Sequence, residues 1–147
     1  MKENNEGFLA PFVNNKLCNN CGICKGKCPV INANLENSTN PDCLALAAKD
    51  EVRLDKCSSG GIFTTIAQKF IADGGYVCGA VINKDNQIEH IVSNNADDLF
   101  RMRGSKYVQS NIVKALQEAK SLLASDKKLL FSGTPCQIAA ANTFLKT

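Results

Sequence analysis

The chain has 147 residues, of which 44% are hydrophobic and 21% are charged, and its formal net charge is +3. These values argue against a disordered or coiled-coil protein, and the charge is too small to predict nucleic-acid binding. The unusual feature is the presence of eight cysteines without a single tryptophan.

The first residues lack the apolar core of a secretory signal, and no stretch approaches the roughly 18 apolar residues of a membrane span. We therefore expect a cytoplasmic protein, in which thiols stay reduced. Eight cysteines in a reducing compartment indicate metal binding or redox chemistry more than disulfides.

Half of the cysteines lie in one short segment. Cys18, Cys21, Cys24 and Cys28, followed by Pro29, have the spacing of bacterial ferredoxin ligands for a [4Fe-4S] cluster. A zinc site is the alternative, but zinc ribbons use two separated Cys-x2-Cys pairs. The run therefore predicts an iron–sulfur cluster.

The fourth ligand of that cluster is open. In two-cluster ferredoxins the last cysteine of such a run ligates the other cluster, so Cys18, Cys21 and Cys24 need a ligand from elsewhere. Cys43 and Cys57 are candidates. Either the chain is part of a longer two-cluster protein, or one cluster forms with an unusual ligand.

Residues 32–42 are predicted to form a polar loop that separates a cluster module, residues 1–42, from the remainder, residues 43–147. The remainder alternates helical and strand patterns, as in an α/β domain. The expected elements are a short strand at 43–48, a helix between Gly61 and Gly74, strands at 76–82 and 87–93, a short helix after Asn95, a helix at 111–124, a strand at 128–131 and a helix from Thr134.

Two loops in this domain are candidate ligand sites. Ser58, Ser59, Gly60 and Gly61 precede a helix, and their hydroxyls and N–H groups suit a phosphate, although an ordinary helix start is the alternative. The loop of Arg103, Gly104, Ser105, Lys106 and Tyr107 has the chemistry to grip a phosphate and to stack a planar ring. Its alternative is a solvated basic loop.

The connection from the last strand to the last helix is a third candidate, because α/β folds place ligands at such positions. Thr134 and Gln137 are spaced as a capping box around Pro135. Cys136 is a candidate redox thiol, metal ligand or small packing residue. His90 alternates with apolar neighbours and is expected in the core or at an edge rather than in catalysis.

Taken together, residues 18–29, 57–63, 103–110 and 131–138 resemble the coenzyme F420 hydrogenase/dehydrogenase beta-subunit family. The similarity is to bacterial members that carry an N-terminal ferredoxin module. It implies an oxidoreductase, an iron–sulfur flavoprotein in which [4Fe-4S] clusters relay electrons to FAD. The implied partners are ferredoxin or another redox subunit and a small two-electron acceptor such as the deazaflavin coenzyme F420.

The resemblance implies a fold with a small ferredoxin-like module followed by a partial α/β flavin-binding domain. Family members carry a second cysteine run and extend further, so the chain is expected to be a fragment. A non-catalytic electron-transfer or assembly module and an inactive fragment are the alternatives. The candidate cofactor contacts are Ser58, Ser59, Gly60, Gly61, Arg103, Gly104, Ser105, Lys106, Tyr107, Thr134 and Cys136.

Overall fold

The computed structural model of the protein describes residues 2–32, 42–49 and 57–145. Its mixture of helices and strands confirms the expected α/β class. Within these ranges no helix is long and apolar enough to cross a membrane. The elements are β1 (Lys2–Glu3), β2 (Leu9–Ala10), α1 (Ile23–Gly26), α2 (Ile62–Ala72), β3 (Tyr76–Ile82), β4 (Ile88–Ser93), α3 (Ala96–Met102), α4 (Val113–Ala124), β5 (Leu129–Phe131) and α5 (Pro135–Leu145).

A three-stranded sheet with the order β4–β3–β5 organises the larger part of the chain. The middle strand, β3, is a near-continuous apolar run, as expected of a strand covered on both faces. It pairs antiparallel with β4 through a turn in which Asn86 adopts a left-handed φ of 57°. It pairs parallel with β5, which is three residues long.

One face of this sheet carries the main hydrophobic core. Helices α2 and α3 pack against β3 there. The buried cluster consists of Ala67, Val77, Val81, Leu99 and Met102. Side chains alternate along a strand, so residues 77, 79 and 81 all point to this face.

Helix α4 lies against β4 and β5 on the opposite face, and α5 packs against α4. Cys78 is fully buried on that face. Burial, together with the nearby carboxylate of Glu118, raises the pKa of the Cys78 thiol to about 12. Cys78 therefore stays a neutral packing residue, as its place in an apolar strand predicts.

Residues 2–32 contain little regular structure. Strands β1 and β2 pair antiparallel over two residues each, and α1 is a single turn. The side-chain amide of Asn32 donates to the carbonyls of Lys25, Gly26 and Cys28 and so holds the end of α1. No residue between 2 and 32 is buried. The predicted polar loop that follows lies outside the described residues at 33–41.

The prediction of a strand at residues 43–48 was wrong. The described residues from 42 to 48 form neither helix nor strand. Ala48 N donates to the carbonyl of Gly60 at 2.7 Å, so the segment is bound to the loop before α2 rather than to a sheet. Leu44 and Leu46 are 80% and 60% exposed, so these leucines do not belong to a buried strand face.

The close approach of β3 and α3 gives a stability prediction. A Cβ added at Gly79 would lie 2.9 Å from Met102 Sδ and 3.0 Å from its Cγ, so Gly79→Ala should lower the free energy of unfolding by about 1–3 kcal/mol. Urea unfolding measures the change. The control is Gly26→Ala, where the same Cβ meets no atom within 4 Å. Equal stability of the two variants would contradict this packing.

Candidate functional site

A cavity of about 1000 Å³ lies beyond the carboxyl end of β5. Strand β5 pairs with Tyr76, Val77 and Cys78, the first three residues of β3, and then stops. Gly79 and Ala80, the next residues of β3, line the cavity instead. The short strand thus leaves space beside a longer one, at the end of the sheet where α/β proteins bind ligands.

The three candidate ligand loops meet at this cavity, although they lie far apart in the sequence. Of the predicted contacts, Gly60 alone does not line it, because Gly60 packs against residues 46–48. A Cβ there would collide with the carbonyl oxygen of Leu46. The predicted contacts that line the cavity are Ser58, Ser59, Gly61, Arg103, Gly104, Ser105, Lys106, Tyr107, Thr134 and Cys136.

Residues 103–112, which we call the rim loop, are tied to the other two loops by side-chain hydrogen bonds. Ser105 N donates to Ser58 Oγ at 3.2 Å. Gln137 Nε2 donates to Ser110 Oγ at 2.7 Å. The rim loop therefore joins the start of α2 to the start of α5 and closes the cavity wall between them.

The far end of the rim loop is fixed by backbone pairing. Asn111 N donates to Ile88 O at 3.0 Å, and His90 N donates to Asn111 O at 2.9 Å, which makes a short parallel bridge on the edge of β4. Gln109 binds the backbone of Leu9 with both ends of its amide, at 2.8 and 3.2 Å. The rim loop thus also contacts the N-terminal module.

The cavity has a positive lining. Among the described residues that form it, Arg103 and Lys106 are charged and none is acidic. Arg103 Nε is buried without a hydrogen-bond partner in the described part of the chain, while its guanidinium lies 5.1 Å from the Phe100 ring. Arg103 is therefore the residue of the cavity wall whose charge is not matched by an acidic side chain among the described lining residues.

Lys106 and Tyr107 are neighbours in the rim loop, but the side chain of Lys106 is bound to the backbone and that of Tyr107 is exposed. Lys106 Nζ donates to the carbonyls of Arg101 and Arg103 at 2.9 and 2.7 Å, so its ammonium group caps the end of α3 at the cavity wall. Burial lowers the pKa of Lys106. Tyr107 is 94% exposed at the cavity, with its ring accessible for stacking.

Two helices of eleven residues begin at the cavity. Helix α2 starts after Gly61, which has a φ of 68° and provides no side-chain cap. At the start of α5, Thr134 N donates to Gln137 Oε1 at 2.9 Å, half of the predicted capping box. The Thr134 hydroxyl instead lies 3.1 Å from Cys136 Sγ. Both helix N-termini add positive potential to the cavity.

His90 is a cavity residue that the sequence analysis placed in the core or at an edge. It is 4% exposed, stacks on Phe131 and places Nε2 3.0 Å from the carbonyl oxygen of Ser132. Its Nδ1 is buried and has no partner among the described residues. The alternation around His90 predicts the burial correctly, but the cavity beside it depends on the pairing of three strands.

The cysteine run lies apart from this cavity. Cys18, Cys21 and Cys24 are exposed and Cys28 is half-buried. In the part of the chain that the structure describes, no three cysteine, histidine or acidic side chains are grouped to hold a metal ion. The donor chemistry nevertheless fits a cluster, because four thiols outside any disulfide share one short loop with turns at Asn20 (φ 57°) and Gly22 (φ 75°).

The candidate fourth ligands are at different places. Cys57 lines the cavity, and its sulfur lies 3.3 Å from the hydroxyl of Thr64. Cys43 is in the exposed segment before α2. The assignment of a fourth ligand to either residue stays a prediction.

Comparison with known proteins gives two matches. Residues 43–117 match the family described as coenzyme F420 hydrogenase/dehydrogenase, beta subunit N-term. Over 130 residues the chain is 29% identical to a subunit of the F(420)H(2) dehydrogenase of Methanosarcina mazei. That alignment covers 86% of this chain and 36% of the relative, so the chain spans about a third of that protein.

The environment of His90 predicts a pH dependence of stability. Burial lowers the pKa of His90 below the unfolded value of about 6.5, and the contact with Ser132 opposes this in part. As the pH falls through about 6.5, the unfolded chain binds a proton at His90 before the folded chain does. The free energy of unfolding therefore decreases as the pH falls, by at most about 1.4 kcal/mol per pH unit. Urea unfolding between about pH 7.5 and about pH 5.5 measures this loss.

His90 is the single histidine of the chain, so no other imidazole contributes to that change. In His90→Gln the histidine contribution disappears, and the difference in stability between wild type and variant should shrink as the pH falls. A constant difference across the range would contradict the lowered pKa.

Proposed function

The chain belongs to the coenzyme F420 hydrogenase/dehydrogenase beta-subunit family, and from this we propose that it is part of an iron–sulfur flavoprotein. Membership makes the chain part of a redox enzyme with a role in electron transfer. The proposal adds the cofactors: a [4Fe-4S] cluster bound by residues 1–42 and FAD bound by the α/β domain, residues 43–147.

The observation that carries the flavin proposal is the meeting of three loops at one positively lined cavity. Its volume of about 1000 Å³ is at the upper end of ordinary ligand pockets and suits a large ligand. Two helix N-termini, Arg103 and the absence of acidic side chains among its described lining residues favour linked phosphates. A dinucleotide such as FAD combines both requirements.

The residues have distinct proposed tasks. The guanidinium of Arg103 binds a phosphate, and the hydroxyls and N–H groups of Ser58 and Ser59 bind a second group at the start of α2. The exposed ring of Tyr107 stacks on a planar ring. FAD, when bound, exchanges single electrons with a cluster and a hydride with an organic acceptor.

The absence of buried side chains among residues 2–32 supports the cluster proposal. Residues 2–32 contain no buried side chain, and Leu17, Ile23 and Val30 are all more than 60% exposed. A segment without a core depends on another source of stability, and metal binding supplies folding energy to such modules. We propose that Cys18, Cys21 and Cys24 hold one cluster together with a fourth ligand from elsewhere, and that Cys28, as in two-cluster ferredoxins, is a ligand of a second cluster.

The position of the module suits electron transfer. Phe8 and Leu9 line the cavity, and Gln109 binds Leu9 with two hydrogen bonds. The module that carries the thiols is thereby attached to the wall of the proposed flavin site. This contact places the segment that precedes the cysteine run at the proposed flavin site.

The physiological reaction involves partners outside this chain. The relative belongs to a dehydrogenase with several subunits, so we propose a redox subunit or ferredoxin as electron partner and coenzyme F420 or another two-electron acceptor as substrate. Exposed, reduced thiols suit the cytoplasm. The alternative is a non-catalytic electron-transfer or assembly module.

The flavin proposal predicts an effect of Arg103. Titration with FAD, followed by quenching of flavin fluorescence, should show saturable binding to the wild type, and Arg103→Ala should weaken it about 10- to 100-fold through loss of a charged hydrogen bond. The control is Arg101→Ala, because Arg101 is exposed, pairs with Asp98 and does not line the cavity. Absence of FAD binding to the wild type, or equal loss in both variants, would contradict the proposal.

The cluster proposal predicts a stoichiometry. Anaerobic reconstitution with iron and sulfide should give about four irons per chain and a broad absorption band at about 400 nm. Cys21→Ser should abolish this absorption. Cys78→Ala should not, because that thiol is buried in β3.

Iron bound without flavin would favour the non-catalytic module. A colourless protein that contains zinc and no iron would rule out both redox proposals. Cys43→Ser and Cys57→Ser, reconstituted separately, identify the fourth ligand by the loss of iron.

A further inference from the structure

The N-terminal hairpin supplies a part of the cavity wall that does not belong to the α/β domain. Strands β1 and β2 pair antiparallel, and both Phe8, just before β2, and Leu9, its first residue, line the cavity. The turn between the strands is held by Asn4, whose side-chain oxygen accepts from the N–H groups of Glu6 and Phe8 at 3.0 and 2.9 Å. Phe8 is 54% exposed and Leu9 38%, so neither side chain is anchored in a core.

A single side chain attaches this hairpin to the rim loop. Asn4 N donates to Phe8 O at 2.8 Å, and in an antiparallel pair the next residue along then directs its N–H and C=O groups away from the partner strand. These outward groups belong to Leu9, and Gln109 binds both of them, at 2.8 and 3.2 Å. They are the described hydrogen bonds between the N-terminal module and residues 57–145.

The other walls of the cavity are held more firmly. Strand β3 lies between two other strands, and α2 and α5 are helices of eleven residues. The rim loop is bound to the starts of both helices and to the edge of β4. Residues 2–32, in contrast, contain no buried side chain, and a hairpin with two-residue strands is at best marginally stable by itself. The hairpin is therefore the part of the wall that opens most readily.

We propose that residues 2–10 are a lid on the cavity and that Gln109 is its latch, so that a bound ligand enters and leaves when the contact between Gln109 and Leu9 breaks. This inference rests on the proposed flavin site and adds how that site opens. In the closed state Phe8 and Leu9 cover part of the ligand with apolar surface and keep water from it, as lids do in other enzymes. Gln109 is then a positioning residue that acts on the ligand through the hairpin.

The chain contains no tryptophan, which permits a fluorescent reporter on the lid itself. Phe8→Trp introduces one indole at the cavity, and its quenching by acrylamide measures the opening of the lid without any ligand. In this background Gln109→Ala should raise the quenching constant towards that of the urea-unfolded chain, because two uncharged hydrogen bonds are lost. The control is Gln117→Ala, since Gln117 is exposed on α4 and does not line the cavity. Equal quenching in the two variants overturns the latch.

The rates of FAD binding separate a lid from a direct contact, because Gln109 itself lines the cavity. Loss of a latch lets the ligand both enter and leave faster, so Gln109→Ala should raise the association and the dissociation rate constants of FAD, each about 3- to 10-fold. Gln117→Ala should change neither. Loss of a direct contact with the ligand raises the dissociation rate constant alone, and that result overturns the lid.

Leu9→Pro breaks the same contact from the other side. Proline removes the N–H that donates to Gln109 Oε1, and it removes no bond within the hairpin because that N–H points away from β1. It should raise both FAD rate constants as Gln109→Ala does, and the double variant should not exceed the faster single variant. Additive effects or unchanged rates overturn the lid and leave the flavin site intact, whereas failure of FAD to bind to the wild type overturns both.

Discussion

The early end of β5 is the constraint on which the rest of the site depends. Strand β3 has seven residues and β5 has three, so Gly79 and Ala80 of β3 have β4 on one side and a cavity on the other. The chain that leaves β5 turns at once into α5, whose N-terminus then faces the cavity. A longer β5 would pair with the rest of β3 and fill this space, and the three ligand loops would then enclose no cavity.

The rim loop converts that space into a defined site. It is irregular chain, and its geometry comes from side-chain hydrogen bonds to three other segments: Ser105 to Ser58, Ser110 to Gln137, and Gln109 to Leu9. Such a loop is held more weakly than a helix or strand, since each uncharged hydrogen bond contributes about 0.5–1.5 kcal/mol. A ligand that bridges its two sides would stabilise it further.

Two polar atoms of residues that line the cavity are buried without a partner in the described part of the chain. Arg103 Nε and His90 Nδ1 are both buried, and neither has a partner among the described residues. In the N-terminal module, aliphatic side chains that a folded domain would bury in a core are exposed.

The sequence predicts the long elements, the fold class and three of the loops at the cavity, because 3.6-residue periodicity, apolar runs and helix-start residues are local signals. It failed at residues 43–48, where the predicted strand is absent and the segment is bound to the loop before α2 instead. The predicted ligand role of Lys106 stays a prediction, and the structure adds that its ammonium group binds two backbone carbonyls. Only the tertiary structure decided that the loops meet and that His90 lines their cavity. Both facts depend on strand order, register and the length of β5, and pairing between distant segments leaves no periodic trace in the chain.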